Sequence, residues 1–252
     1  MEFDGGAGLR PLRIATLAAV LSLGGLALAP AAGAERHAAR KPARPVVVEL
    51  FTAQGCASCP QANQMLGDIA GRKWVVALTF SVDYWDYLGW KDTFAMPEFT
   101  ARQRAYVGRL KLKEIYTPEL VVDGRREAPG VEAEKIDGLI EEAAKARRPA
   151  PTVGFLHEGE RVAVGEGEVP RGGAEVWLVR YDPTPRKVRV KTGDNAGKTV
   201  THVDEVRELV RLGPWAGKPR TYAVPAESTP NLVSVAIVQG KGGGPILAAA
   251  KE

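Results

Sequence analysis

Apolar residues first gather in one long run, Ile14 to Leu28, rich in Ala and Leu and preceded by Arg10 and Arg13. Two later runs, Val46 to Phe51 and Trp74 to Val82, are short and β-branched and predict buried strands. Between them, residues 57–70 put Met65, Leu66 and Ile69 on one helical face. Pro97 suits a first helical position and opens a helix to about Lys111, with Phe99, Tyr106 and Leu110 near helical spacing. Glu119 to Val122 reads as a short strand, ended by the turn dipeptide Asp123-Gly124. Ile136, Leu139, Ile140 and Ala143 form the stripe of a helix over Val131 to Ala146. The predicted order is β-α-β-α-β, then a turn, a strand and a last helix.

The pattern changes at Arg147-Arg148-Pro149-Ala150-Pro151, whose two prolines mark a linker. Beyond it apolar residues alternate, as in Val162/Val164, Val176/Leu178 and Val233/Val235/Ile237, with Gly and Pro between the runs. This predicts a small antiparallel, sandwich-like β-rich domain over residues 150–252. Val203 to Leu212 fits a helix or a strand.

The chain has 252 residues, 45% hydrophobic and 25% charged, which suits globular folding as one large domain or two ordinary ones. Its net charge of +4 is mild and the basic residues are interspersed with acidic ones, so no nucleic-acid partner is expected. Residues 1–34 read as a signal peptide, with Ala32 and Ala34 at the cleavage positions. The Ile14–Leu28 run is shorter than the roughly 20 apolar residues a spanning helix needs, so no stable membrane span is expected after cleavage. Residues 35–44 read as a disordered basic leader. The expected location is periplasmic or secreted, where a disulfide can persist.

That location bears on the two cysteines, Cys56 and Cys59, which stand as C-x-x-C directly after the first predicted strand. A C-x-x-C that follows a strand and opens a helix is the layout of a thioredoxin-like redox site. The spacing also fits half of a zinc site, but no second C-x-x-C or histidine pair supplies the other ligands, so no metal is expected. At a helix N-terminus Cys56 would be the exposed nucleophile, its thiolate favoured by the helix dipole, and Cys59 the resolving thiol. The disulfide they form would be the only redox group, with no dissociable cofactor. The fold class is then an α/β thioredoxin-like domain over residues 45–148, followed by the β-rich domain.

Three more features belong with the cysteines. Thr117-Pro118 precedes the Glu119 strand, where a thioredoxin fold carries a cis-proline facing the C-x-x-C, so Thr117 and Pro118 are candidate substrate-docking residues. Glu49 is the one charge in its strand; it is either a proton acceptor for Cys59 or a strand-end carboxylate that reaches solvent or is salt-bridged to a lysine. The segment Asp83 to Asp92 carries Tyr84, Trp85, Tyr87 and Trp90, either a substrate-binding wall beside the thiols or an insertion that packs its own rings. His202 reads as surface or hydrogen-bonded core rather than catalytic.

Together, Val47–Pro60, Val82–Asp92, Arg102–Tyr106 and Tyr116-Thr117-Pro118 resemble a family of secreted bacterial proteins known only as a domain of unknown function and placed in the thioredoxin-like superfamily. Asn195-Ala196-Gly197-Lys198 and Thr201-His202-Val203 are similar to its C-terminal part. The resemblance implies the fold rather than a reaction. The chain departs from thioredoxin itself: Gln54-Gly55 replaces the tryptophan before the dithiol, Ala57-Ser58 stands between the cysteines, and Pro60 replaces a lysine. The expected function is thiol–disulfide exchange with a protein thiol or disulfide substrate, supported by a separate redox partner. Two alternatives are a copper(I)-handling protein assisted by Met65 or Met96 and a non-catalytic adaptor with a vestigial dithiol.

Overall fold

The computed structural model describes residues 1–2, 44–146 and 148–252. The expected signal peptide and leader therefore lie outside the described residues, apart from residues 1, 2 and 44. The described residues from 44 onward belong to one compact unit.

In chain order this unit contains β1 (Val46–Thr52), α1 (Cys59–Ala70), β2 (Val75–Ser81), α2 (Pro97–Leu110), β3 (Glu119–Val122), β4 (Arg126–Pro129) and α3 (Ala133–Lys145). There follow β5 (Val153–Leu156), β6 (Arg161–Val164), β7 (Ala174–Asp182), β8 (Arg186–Arg189) and β9 (Thr199–His202). The chain ends with β10 (Glu205–Trp215), β11 (Arg220–Ala223), β12 (Val233–Gly240) and β13 (Ile246–Lys251). The result is a mixed α/β fold built on an eight-stranded mixed sheet in the order β13-β12-β7-β10-β2-β1-β3-β4.

β1 lies near the middle of this sheet, parallel to β2 and antiparallel to β3. Both of its faces are covered, which is why its sequence is nearly all apolar rather than alternating. Val46, Val48 and Leu50 pack with Leu66 and Ile69 of α1 and Ile136 and Ile140 of α3. Val47 and Phe51 point the other way, into a core shared with Phe99 and Tyr106 of α2 and with Val179, Val235 and Ile237. Phe51 stacks on Phe80 at 5.5 Å between ring centroids, and Phe80 meets Phe99 edge-on at 5.3 Å.

The strands beyond the proline-marked linker continue the same sheet. β10 runs parallel beside β2 with Glu205 opposite Thr79, and β7 and β12 extend the ladder outward. Residues 45–148 and 150–252, expected as separate domains, thus share one sheet and the core cluster on one of its faces. The sandwich-like part is the small β11-β6-β5 sheet, which closes over β7, β12 and β13 around Val162, Val176, Trp215 and Ala236. Val203 to Leu212, which fitted either element, lies largely in β10, a strand held along its length by β7.

α1 starts at Cys59, two residues later than the expected Ala57, with Ser58 as its N-cap and Pro60 in the first turn. Cys56 therefore sits ahead of the helix, in a turn where the Cys59 N–H donates to the Cys56 carbonyl at 3.2 Å. Among the described residues no helix is long and apolar enough to cross a membrane.

Candidate functional site

Cys56 and Cys59 form a disulfide, with Cα atoms 5.4 Å apart. Ala57 and Ser58 between them are exposed, yet both cysteines are buried, at 2% and 0% exposure. Exposure was expected for Cys56. Cys56 belongs to the core cluster, and its backbone is held by the connection between β8 and β9, which arrives from the C-terminal half. The Asn195 side-chain amide donates to the Gln54 carbonyl at 3.0 Å and to the Cys56 carbonyl at 2.7 Å, and Asn195 is itself fully buried. Gly193 lies against Gly55 and Leu88, and the Thr192 hydroxyl donates to the Gly89 carbonyl at 2.7 Å. Nothing local in the sequence points Asn195 at a loop 139 positions earlier; it stood out there only through the resemblance.

The aromatic segment forms the neighbouring wall. Trp85 Nε1 donates to Thr117 Oγ1 at 2.7 Å, and the Trp85 Cβ lies 3.6 Å from where a Cβ on Gly55 would be. A Cβ at position 55 would thus sit in ordinary contact with Trp85. Trp90 Nε1 donates to Gln54 Oε1 at 2.9 Å. Tyr84 has a buried hydroxyl without a partner, and burial pushes it up to about 12. Tyr87, by contrast, points into solvent.

The Thr117–Pro118 bond is cis. Because β3 is antiparallel to β1, with Glu119 opposite Phe51, Thr117 and Pro118 emerge at the sheet end from which the C-x-x-C loop leaves. Trp85 links the two by touching both.

Glu49 is fully buried, but away from any free role. Its Oε1 accepts from Arg102 Nε at 2.6 Å and its Oε2 from the Tyr106 hydroxyl, which Gln239 Nε2 also contacts at 3.0 Å. The salt-bridged alternative describes it, with an arginine as the partner. Burial opposes the Arg102 cation, but the Glu49 carboxylate outweighs it and holds Arg102 above its ordinary value. Neither Glu49 oxygen bonds to a cysteine among the described residues.

Glu119, unmarked in the sequence because it reads as the start of a strand, is the carboxylate with spare capacity. It is fully buried, and Gln103 Nε2 donates to its Oε2 at 2.7 Å, while Oε1 has no partner. Burial, aided by the Glu127 and Glu49 charges, pushes it up to about 7. Its strand neighbour two positions on, Val121, belongs to the same core cluster as Cys56 and Cys59.

A second polar group lies behind the C-x-x-C loop. Asp92 Oδ2 accepts from the Gln54 N–H at 2.7 Å, and burial pushes its carboxyl up to about 6. His202 Nδ1 pairs with Glu205 Oε2 at 2.8 Å, while Ser81 donates to Glu205 Oε1 at 2.8 Å. Burial works against a charged His202, but Glu205 and then Asp92 raise it above the ordinary histidine value. Asn63 of α1 donates to the Thr201 carbonyl at 3.0 Å, which ties the helix after the cysteines to this group. Of the two readings of His202, surface or hydrogen-bonded core, the second describes it.

The two methionines of the copper alternative lie apart. Met96 packs with the cluster that holds the cysteines, and Met65 packs with the cluster on the other sheet face. Among the described residues, no three His, Cys, Asp or Glu side chains group as metal ligands.

Residues 47–239 match the family described as "Protein of unknown function (DUF1223)". The chain belongs to this family. A structural relative of this DUF1223 chain is protein AGR_C_4864 from Agrobacterium tumefaciens, a crystal structure 29% identical, with a TM-score of 0.64 over 82% of this chain and 92% of that one. HBP35 of Porphyromonas gingivalis is similar in fold alone, at 13% identity and a TM-score of 0.51 over 83% of this chain and 74% of that one. No curated protein matches this DUF1223 chain.

Proposed function

We propose that this protein is an exported thiol–disulfide exchange protein with a thioredoxin-like site, acting on protein partners. The observation that carries the reading is the Cys56–Cys59 disulfide after β1, at the sheet end where the cis Thr117–Pro118 bond also emerges.

In the reduced protein the Cys56 thiolate attacks one sulfur of a partner's disulfide. A Cys56–partner bond forms, the partner's S–S bond breaks, and its second sulfur leaves as a thiolate that takes a proton. Cys59, once deprotonated, attacks the Cys56 sulfur and expels the remaining partner thiolate. The partner gains two electrons, and Cys56–Cys59 returns to the disulfide. The reverse sequence oxidises a partner dithiol. Thr117 and Pro118 dock the partner's backbone, with Tyr84, Trp85 and Trp90 as the adjoining wall. Both Glu49 oxygens are taken by Arg102 and Tyr106, which leaves Glu119, with its unpartnered Oε1, as the carboxylate open to a proton. Because Asn195 is bonded to the Cys56 carbonyl and Cys56 is buried, engagement of a partner displaces residues 192–195.

The test is insulin reduction driven by dithiothreitol, joined to trapping with Cys59→Ala in the native host. Catalysis by the wild type that Cys56→Ser abolishes, with mixed disulfides held through Cys56 of the Cys59→Ala protein, supports the reading. Equal rates for wild type and Cys56→Ser, with nothing trapped, would reject it. The burial of both sulfurs favours one second reading, a non-catalytic adaptor whose disulfide only braces the loop, and that negative result is the one it predicts.

A further inference from the structure

At the opposite end of the sheet from the disulfide lies a cleft of about 350 Å³. Four arginines line it. Arg109 comes from the last turn of α2, Arg125 and Arg126 from the β3–β4 hairpin, and Arg148 from just beyond α3. The one carboxylate in the lining is Glu142. Leu110, Val122 and Leu139 form an apolar part of the wall.

The hairpin is held rigidly. Asp123 and Gly124 both take left-handed backbone angles, φ 50° and 59°, and the Arg125 N–H closes the turn onto the Val122 carbonyl at 3.0 Å. A Cβ on Gly124 would stand 2.7 Å from the Gly244 carbonyl oxygen, so glycine is required there. The Asp123 carboxylate is already used, accepting from the Val47 N–H and from Arg44, each at 2.9 Å. It therefore offers the cleft little compensation.

The positive charge is left over. Among the described residues none of the four lining arginines makes a side-chain hydrogen bond or an ion pair. Arg125 Nε, and Nη1 of the adjoining Arg44, are buried without a partner. Burial, then the charges of Arg148 and Arg44, push the Arg125 guanidinium below its ordinary value. Buried N–H donors normally find an acceptor, and crowded guanidiniums repel one another. Service to the helix ends does not account for them. The Lys111 N–H already caps α2 on the Val107 carbonyl, and the Ala146 N–H caps α3 on the Glu142 carbonyl.

We propose that this cleft binds a small organic polyanion, one carrying two or more acidic phosphate or carboxylate oxygens on an apolar body. The planar guanidinium fork matches both oxyanions in a bidentate manner. The apolar wall selects for a hydrocarbon body, and the size is that of a small-molecule site rather than a face for a macromolecule. The inference does not depend on the redox reading.

Calorimetric titration of the purified protein at near-physiological salt tests it. The probes are 1-naphthyl phosphate, naphthalene-1,8-dicarboxylate, inorganic phosphate and heparin. At least one naphthyl probe should bind, roughly tenfold or more tighter than inorganic phosphate. Which of the two binds tells phosphate from carboxylate. Arg125→Ser with Arg148→Ser should weaken that binding roughly tenfold or more. In the absence of probe, Arg148→Ser alone should melt no lower than wild type, because it relieves repulsion; a purely structural arginine would give a lower melting point. Absence of naphthyl binding, binding unchanged in the double variant, or binding of heparin alone would each overturn the proposal.

Discussion

Asn195 donates its side-chain amide to the carbonyl of Cys56 at 2.7 Å, so a residue on the β8–β9 connection holds the loop that carries the disulfide. A second bond from the same amide, to Gln54, fixes the loop on both sides of Gly55. The C-terminal half of the chain thereby holds the loop that carries the cysteines of the N-terminal half.

Replacing Asn195 with Ala should free this loop. Losing two buried hydrogen bonds costs about 2 kcal/mol. If opening of this loop limits access to the sulfurs, reduction by dithiothreitol should speed up by roughly tenfold or more. Stopped-flow thiol quantification measures it, with urea unfolding beside it. An unchanged reduction rate in a destabilised protein would mean that Asn195 braces the fold without gating the disulfide.

Reducing the disulfide should cost little stability. The cross-link joins residues only three apart, so it removes little chain entropy, about 2 kcal/mol on the loop-closure account. Urea midpoints of the oxidised and reduced protein give the value directly. A loss well beyond that would argue that the bond is chiefly structural.

Glu49 and Arg102 form a buried ion pair, 0% and 6% exposed at the side chain. Removing one partner strands the other charge. Glu49→Leu or Arg102→Met should each destabilise by about 3–5 kcal/mol, and the two together by less than the sum. A double-mutant cycle in urea tests this. Strict additivity would mean that the pair is not coupled.

Stability should rise as the pH is lowered from 7.5 towards 5. Burial raises Asp92 and Asp204 to about 6 and Glu119 to about 7, so in this window the folded state binds protons that the unfolded state does not. His202 acts in the same sense. Its raised folded value gives stability that is complete below the ordinary histidine pKa and is lost as the pH climbs through the raised value. Asp182 and Glu208 act the other way: burial opposes their charge, but hydrogen bonds from Arg186 and from Ser228 and Arg180 hold them below the ordinary range. Their contribution fades only at lower pH, so the maximum should fall near pH 5. Urea midpoints across this range, with Glu119→Gln flattening the upper part, check it. A midpoint rising from pH 5 to 7.5 would contradict the assignment.

The local elements were legible in the sequence because their signals are local. The β-branched run at Val46–Phe51, the stripe of Ile136 and Ile140, Pro97 at a helix start and Asp123-Gly124 at a hairpin each act within a few residues. Cys59 was equally legible as the sole possible partner of Cys56 within the chain, since no other cysteine exists; that they are bonded is seen in the structure.

What only the tertiary structure decided are relations between distant segments. Whether Val203 to Leu212 became a helix or a strand depended on the edge that β7 offered it. The linker prolines did not separate the halves, because β10 found an open edge at β2. A carboxylate's role is set by what surrounds it: Arg102 and Tyr106 occupy Glu49, while Glu119 keeps an oxygen free. The burial of Cys56 in the core cluster has the same origin. The sequence marks which residues can carry chemistry; packing across long separations decides which of them are covered, paired or free.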